Sequence, residues 1–243
     1  MNALILAAGL GTRLKPLTDT MPKAMVPVAG KPLIAHQIER LKKSGFNHLV
    51  VNVHHFASQI IDFIQDNDFD IDITISDESD MLLDTGGAIK KAALLFKDKQ
   101  PFLVHNVDIF HNIDLHKVFT QYASLADATL IVSRRFTTRY LLFDQDSHLV
   151  GWMNLKTGEV KSPFEEVRNN PAAYNRYAFS GMHIFSHALL KTMDDWPDKF
   201  SIIDFYLSAC ATHQISGLVI ENLRLLDVGK LDTITEAESF INH

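Results

Sequence analysis

The segment LILAAGLGTRLKPLTDTMPKAMVP, Leu4 to Pro27, limits the fold more than any other part of the chain. The apolar run Asn2 to Ala7 ends on a loop carrying Gly9 and Gly11, followed by Arg13 and, ten residues later, Lys23 after Pro22. A short apolar run closed by glycine reads as a strand buried on both faces. Pro32 then suits a first helical turn, Ile34, Ile38 and Leu41 recur at i, i+4, i+7, and Gly45 stops the helix. The alternation continues with a strand at His48 to Val53, a helix marked by Phe56, Ile60, Phe63 and Ile64, and a strand at Ile71 to Ile75. A helix over Ala88 to Phe96 and a strand over Phe102 to His105 follow. Successive units of this kind predict an α/β fold: a mixed, mostly parallel sheet flanked by helices.

Past about residue 135 the alternation loosens. Tyr140 to Asp144 and His148 to Trp152 read as a hairpin, and Asn154 to Asn175 as an irregular excursion over the sheet. Tyr177 to Phe185 reads as a strand, and two helical segments and a closing strand at Leu223 to Val228 complete the chain. The formal net charge of −6, with no basic patch, argues against nucleic acid or an anionic membrane as partner. The single cysteine, Cys210, excludes a disulfide framework and reads as core filling. With no basic region ahead of an apolar run at the N-terminus, and no apolar run near the ~20 residues that span a bilayer, a cytoplasmic location is expected.

Ligands of open α/β sheets bind at the carboxyl ends of the strands, where the Gly9 to Lys23 loop lies. Gly9 and Gly11 let backbone approach a ligand closely. A dinucleotide fingerprint would need glycine or alanine where Leu14 stands, and a Walker A loop fails at Met25 and Pro32. Two fixed cations beside a flexible backbone suit a triphosphate, with Arg13 on the outer phosphates and Lys23 on the phosphate undergoing substitution. Singly, an arginine or lysine in a Gly/Pro-rich loop is most often a solvated surface cation. The whole string outweighs that reading.

That string, with GKPLI at Gly30 to Ile34, resembles the signature of the sugar-phosphate nucleotidyltransferases, the nucleoside-diphosphate-sugar pyrophosphorylases. LDTGGAI (Leu83 to Ile89), FLVHNVDIF (Phe102 to Phe110), FSGMHIF (Phe179 to Phe185) and LDVG (Leu226 to Gly229) follow in the family's order, so the resemblance covers essentially the whole chain. It implies a Rossmann-like, nucleotide-diphospho-sugar transferase fold in one domain over 1–243, with a nucleotide-binding half at 1–134 and a sugar-binding, closing half at 135–243. It also implies that a sugar 1-phosphate attacks the α-phosphorus of a nucleoside triphosphate, releasing pyrophosphate. By position, Ala8, Gly9, Gly11 and Thr12 would lie along the nucleotide, and Arg13 would stabilise the departing pyrophosphate. Lys23 would neutralise the α-phosphate and the attacking sugar phosphate, Thr85, Gly86 and Gly87 would border base and ribose, and Asn106, Ser180 and Gly181 the sugar. The meeting of two anions asks for a metal, and Mg²⁺ takes oxygen ligands such as carboxylates and phosphates. Asp108 and Asp227, each at a strand's end, are the family's magnesium ligands, and Asp108 joins Arg13 and Lys23 in catalysis. A lone aspartate after a strand is more often a turn or helix cap.

The chain departs from the family pattern at three places. Val107 replaces the glycine of N-G-D, which questions the local backbone angle or the room for substrate. The E-K-P sugar motif is absent between Lys161 and Asn175, with Pro163-Phe164-Glu165-Glu166 as the nearest remnant. Asp77 or Glu78 stands where many relatives place a pyrimidine-reading glutamine, which makes Glu78 a nucleotide-binding candidate. LDTGG, FSG and the closing DVG resemble the N-acetylmuramate-1-phosphate uridylyltransferases of cell-wall recycling. UTP and N-acetylmuramate 1-phosphate are therefore the favoured substrates, with mannose-1-phosphate guanylyl transfer and glucose-1-phosphate thymidylyl or uridylyl transfer as alternatives. A non-catalytic nucleotide-sugar sensor is the reading of another class, motivated by Val107. His54, His55, His105, His111 and His116 lack metal-site spacing and read as solvated or capping side chains. Arg134, Arg135 and Arg139 are candidates to meet an anionic sugar group, although arginines at strand ends are more often solvated.

Overall fold

The computed structural model describes residues 1–241. The strands are β1 (Asn2–Leu6), β2 (Pro27–Val28), β3 (Lys31–Pro32), β4 (His48–Val53), β5 (Asp72–Asp77), β6 (Phe102–Asn106), β7 (Ile109–His111), β8 (Ala128–Ser133), β9 (Arg139–Phe143), β10 (Leu149–Asn154), β11 (Val160–Lys161), β12 (Asn175–Phe185), β13 (Ile215–Val219) and β14 (Leu225–Asp227). The helices are α1 (Leu33–Lys43), α2 (Ala57–Asp66), α3 (Asp84–Ala93), α4 (Leu115–Tyr122), α5 (Glu165–Asn169), α6 (Ile202–Ala209) and α7 (Asp232–Ile241).

Ten strands form one mixed sheet in which β6, β1, β4 and β5 run parallel, β5 being an edge strand. Along β1, Ala3 and Ile5 enter one core and Leu4 the other, so each strand residue is buried whichever way it points. Helices α1, α2, α4 and α7 cover the first face, and α3 and α6 the second. Gly45, at φ 84°, ends α1 as expected, with Gly45 N donating to the Lys42 carbonyl and Phe46 N to that of Leu41. Pro32 caps α1 immediately before its first residue.

β12 joins the two parts of the sheet. Its residues Met182 to Phe185 run antiparallel to β6, and Asn175 to Tyr177 pair with β9. The register against β8 shifts between Phe179 and His183, around Gly181 at φ 80°. The hairpin expected at 140–152 is β9 and β10. The stretch 154–175, expected to be irregular, adds the short edge strand β11 and the one-turn α5.

Two expectations are corrected. Helix α3 begins at Asp84, four residues ahead of the expected start, which takes Gly86 and Gly87 into its first turns. The strand β14 leaves the main sheet and pairs with β7 in a separate antiparallel ribbon, with Asp227 opposite Ile109.

Candidate active site

The loop after β1 turns at Gly11, whose φ of 63° is left-handed. A side chain there would meet Thr18 Cγ2 at 2.8 Å, while Thr18 Oγ1 donates to the Gly11 carbonyl at 2.9 Å. The loop is thus folded back on itself, and it forms one wall of a cavity of about 540 Å³. Of the residues expected from sequence, Ala8, Gly9, Gly11, Thr12, Arg13, Lys23, Thr85, Asn106 and Asp108 line this cavity.

Lys23 sits on a 3₁₀ turn after Pro22 and is 7% exposed. Its ammonium donates to Asp108 Oδ2, and Asp227 Oδ1 lies 3.9 Å away. Arg13 reaches the same point from above, its Nη2 being 3.9 Å from Asp227 Oδ2. Gly229 makes room for it, since a Cβ there would stand 2.7 Å from Arg13 Nη2. The ribbon brings Asp227 to Asp108: Val228 N donates to the Asp108 carbonyl at 2.9 Å. Burial raises the Asp227 pKa, and the negative charge of Asp108 adds to the rise against the opposing pull of Lys23 and Arg13. Two neighbouring carboxylates, offering oxygen donors of the kind Mg²⁺ takes, would suit that ion.

Val107 has no left-handed backbone and is 3% exposed, within the core that α1 covers. Its N–H donates to the Leu6 carbonyl at 3.1 Å, so the departure from glycine leaves strand geometry intact.

Asp227, Glu78, Gly86, Gly87, Ser180 and Gly181 do not line the cavity; Asp227 stands beside it, 3.9 Å from both the Arg13 and the Lys23 side-chain nitrogens. Glu78 is 1% exposed; its carboxylate accepts from Asn52 Nδ2 at 2.8 Å and Leu83 N at 3.2 Å. Asn52 Oδ1 in turn accepts from Ala7 N at 2.6 Å and Ala8 N at 3.3 Å. Glu78 therefore holds the start of the glycine loop through Asn52. Burial raises the Glu78 pKa, opposed by these same hydrogen bonds.

Gly86 and Gly87 face the segment before α6: an added Cβ would meet the Phe200 ring at 2.3 Å and the Asp198 carbonyl at 1.9 Å respectively. Their smallness seats Lys199 at the cavity wall and lets Thr85 Oγ1 accept from Ile202 N at 2.9 Å. Ser180 is buried, its hydroxyl accepting from Met182 N at 3.3 Å. Gly181 abuts the Asn106 amide, which a Cβ would meet at 2.8 Å. Gly181 thus stands behind Asn106, one layer from the cavity.

Asn52, Asp84, Lys199 and Gly229 also line the cavity. Gly229 was visible in the closing LDVG string, whereas Lys199 has no periodic or motif signal in sequence. The histidine expectation is corrected in part. His54 and His116 do bond to carbonyls, of Glu78 and Ser44, but His105 and His111 are buried and bonded to each other, Nε2 to Nε2 at 3.1 Å. Burial holds their pKa values down, His105 to about 4 and His111 to about 2. Cys210 is partly buried, its thiol donating to the Leu207 carbonyl, and burial pushes it up to about 11, which suits a packing role. Among the described residues no helix is long and apolar enough to cross a membrane.

The glycine loop with Arg13 and Lys23 follows β1, and Asp108 follows β6, at the carboxyl ends of parallel strands, while Asp227 comes to them on the antiparallel β7–β14 ribbon. Such a set suits a phosphorylated nucleotide. The chain belongs to the nucleotidyl transferase family, whose model matches residues 2–243. It is 43% identical over 128 residues to an N-acetylmuramate alpha-1-phosphate uridylyltransferase of Neisseria meningitidis serogroup B, covering 52% of this chain and 55% of that one. It is 30% identical over 236 residues to a mannose-1-phosphate guanyltransferase of Hypocrea jecorina, covering 95% of this chain and 61% of the other. The chain spans about half the length of the curated relatives it matches. Among solved structures, HddC from Yersinia pseudotuberculosis shares the fold at a TM-score of 0.77 and 25% identity over 99% of both chains; a second structure of it is complexed with GMP-PN.

Proposed function

We propose that this chain joins a nucleoside triphosphate to a sugar 1-phosphate, releasing pyrophosphate, with UTP and N-acetylmuramate 1-phosphate as substrates in cell-wall recycling. The observation that carries the reading is the convergence of Arg13, Lys23 and Asp108 on the glycine-loop cavity, with Asp227 beside them. In the reaction an oxygen of the acceptor phosphate attacks the α-phosphorus. The bond from that phosphorus to the bridging oxygen breaks, and pyrophosphate leaves with the electron pair.

Lys23, held on its turn by Pro22 and nearly enclosed, presents a fixed ammonium to the phosphate under attack. Arg13, with donors left over beside Asp227, receives the leaving pyrophosphate. The loop backbone follows the phosphates, and Thr85 with Asp84 and Leu82 borders the nucleoside end. Asp108 and Asp227 would hold Mg²⁺, which when bound neutralises phosphate charge. Val107 bonds to the Leu6 carbonyl without a left-handed backbone and also borders the cavity, so the turnover assay below is what separates catalysis from a sensor.

Relatives at 43% and 45% identity support the N-acetylmuramate 1-phosphate reading. Transfer from GTP to mannose 1-phosphate is the second reading, favoured by the match over 95% of the chain to the Hypocrea jecorina protein. The test is pyrophosphate release with Mg²⁺ over a grid of the four nucleoside triphosphates and N-acetylmuramate, mannose and glucose 1-phosphates. UTP with N-acetylmuramate 1-phosphate should dominate. GTP with mannose 1-phosphate would establish the second reading, and silence in every well, with nucleotide bound, would end both.

A further inference from the structure

A second cavity, of about 530 Å³, opens on the other side of the segment before α6. Lys199 lines the first cavity and Ser201 the second, and the Ile202 N–H bonded to Thr85 ties the shared wall together. Its walls include Tyr140 from β9, Trp152 from β10 and Phe179 from β12, which offer apolar faces to a sugar ring.

The three arginines singled out in sequence part company here. Arg134 is engaged elsewhere, with Glu221 at 3.2 Å and stacked 5.2 Å from the Tyr177 ring centre. Arg135 and Arg139 line the cavity. Arg135 donates one bond to the Phe179 carbonyl at 2.8 Å and, among the described residues, has no carboxylate within ion-pair distance. The Arg139 guanidinium has neither a hydrogen bond nor an ion pair among the described residues. Of the other charges on the wall, Lys161 and Asp204 pair at 3.2 Å, leaving Glu159 as the only acid against two guanidinium groups.

We infer that this cavity receives the sugar of the acceptor and that Arg135 and Arg139 recognise a carboxylate carried by that sugar in addition to its phosphate. The inference rests on the nucleotidyl transfer proposed above. The acceptor's phosphate is engaged at Lys23, where it attacks, so guanidinium groups in the neighbouring cavity are left for a second anion. Planar forked donors match a carboxylate in bidentate fashion, and among the described residues neither arginine has a carboxylate within ion-pair distance, Asp227 acting on Arg135 only from further off.

The test compares N-acetylmuramate 1-phosphate with N-acetylglucosamine 1-phosphate, the same sugar without the carboxylate-bearing ether, in the wild type and in Arg139→Gln and Arg135→Gln. The wild type should favour the carboxylated acceptor. Each substitution should lower the ratio of kcat/KM for the carboxylated over the neutral acceptor by about tenfold or more, as loss of a charge-assisted bond does. An unchanged ratio in both variants, whether activity falls equally on the two acceptors or not at all, would overturn the inference. A wild type that prefers the neutral sugar would also overturn it while leaving nucleotidyl transfer standing. Absence of pyrophosphate release from every acceptor would instead strike the proposed function itself.

Discussion

The Glu78 carboxylate accepts from both Asn52 Nδ2 and Leu83 N, and both bonds are buried. Glu78→Ala leaves two buried donors unpaired, at about 1–3 kcal/mol each, so the urea midpoint should fall clearly. Glu78→Gln keeps one acceptor and should fall less. A rise in nucleotide KM with stability untouched would instead return Glu78 to the nucleotide contact that its place in the sequence suggested. Gly87→Ala should be as damaging, because the new methyl lies 1.9 Å from the Asp198 carbonyl. Displacing that segment should cost about 1–3 kcal/mol in thermal unfolding and also lower turnover, since Lys199 rides on it. A variant with wild-type melting would contradict the packing described. In sequence, Gly86 and Gly87 resemble loop glycines; that they make room for another segment depends on a contact over 100 residues away, which no local pattern carries.

At the scale of elements, the β7–β14 ribbon decides whether the two aspartates meet. Asn112 fastens its far end: its Oδ1 accepts from Arg224 N at 2.9 Å and its Nδ2 donates to the Asn222 carbonyl at 3.1 Å. Asn112→Ala should cost about 1 kcal/mol per bond and let Asp227 drift, raising the Mg²⁺ concentration for half-maximal turnover. An unchanged Mg²⁺ titration would show that the ribbon is held by β7 and β14 alone. The central strands β1, β4 and β6 were legible because burial on both faces writes the short apolar runs ALIL, LVV and FLV. The ribbon was not: Phe110 pairs with Leu226, and three-residue strands leave no period to read. β13 was missed for another reason. Ser216 and Gly217 interrupt its apolar pattern, and Gly217 is small because the Phe143 ring would lie 2.6 Å from any Cβ there.

Across the whole molecule, the sheet encloses His105, His111 and His183 as neutral imidazoles, with burial holding His105 to about 4 and His183 to about 3 against an ordinary 6.5. The folded state resists protonation while the unfolded chain accepts it. The contribution of these residues is therefore fully present above pH 6.5 and is lost as the pH falls through the folded values toward 4 and 3. The urea midpoint should decline steadily below pH 6.5; a level profile down to pH 4.5 would contradict their burial as neutral groups. The same enclosure sets Lys23 beside Asp108 at the cavity floor, and the central claim is that this cluster drives nucleotidyl transfer. The most direct measurement is the kcat for pyrophosphate release by Lys23→Ala and Asp108→Asn beside the wild type, at saturating substrates and Mg²⁺, with folding checked by circular dichroism. A fall of at least ~10²-fold in each folded variant is expected from removal of a preorganised charge-stabilising group. Wild-type turnover in either would contradict the account.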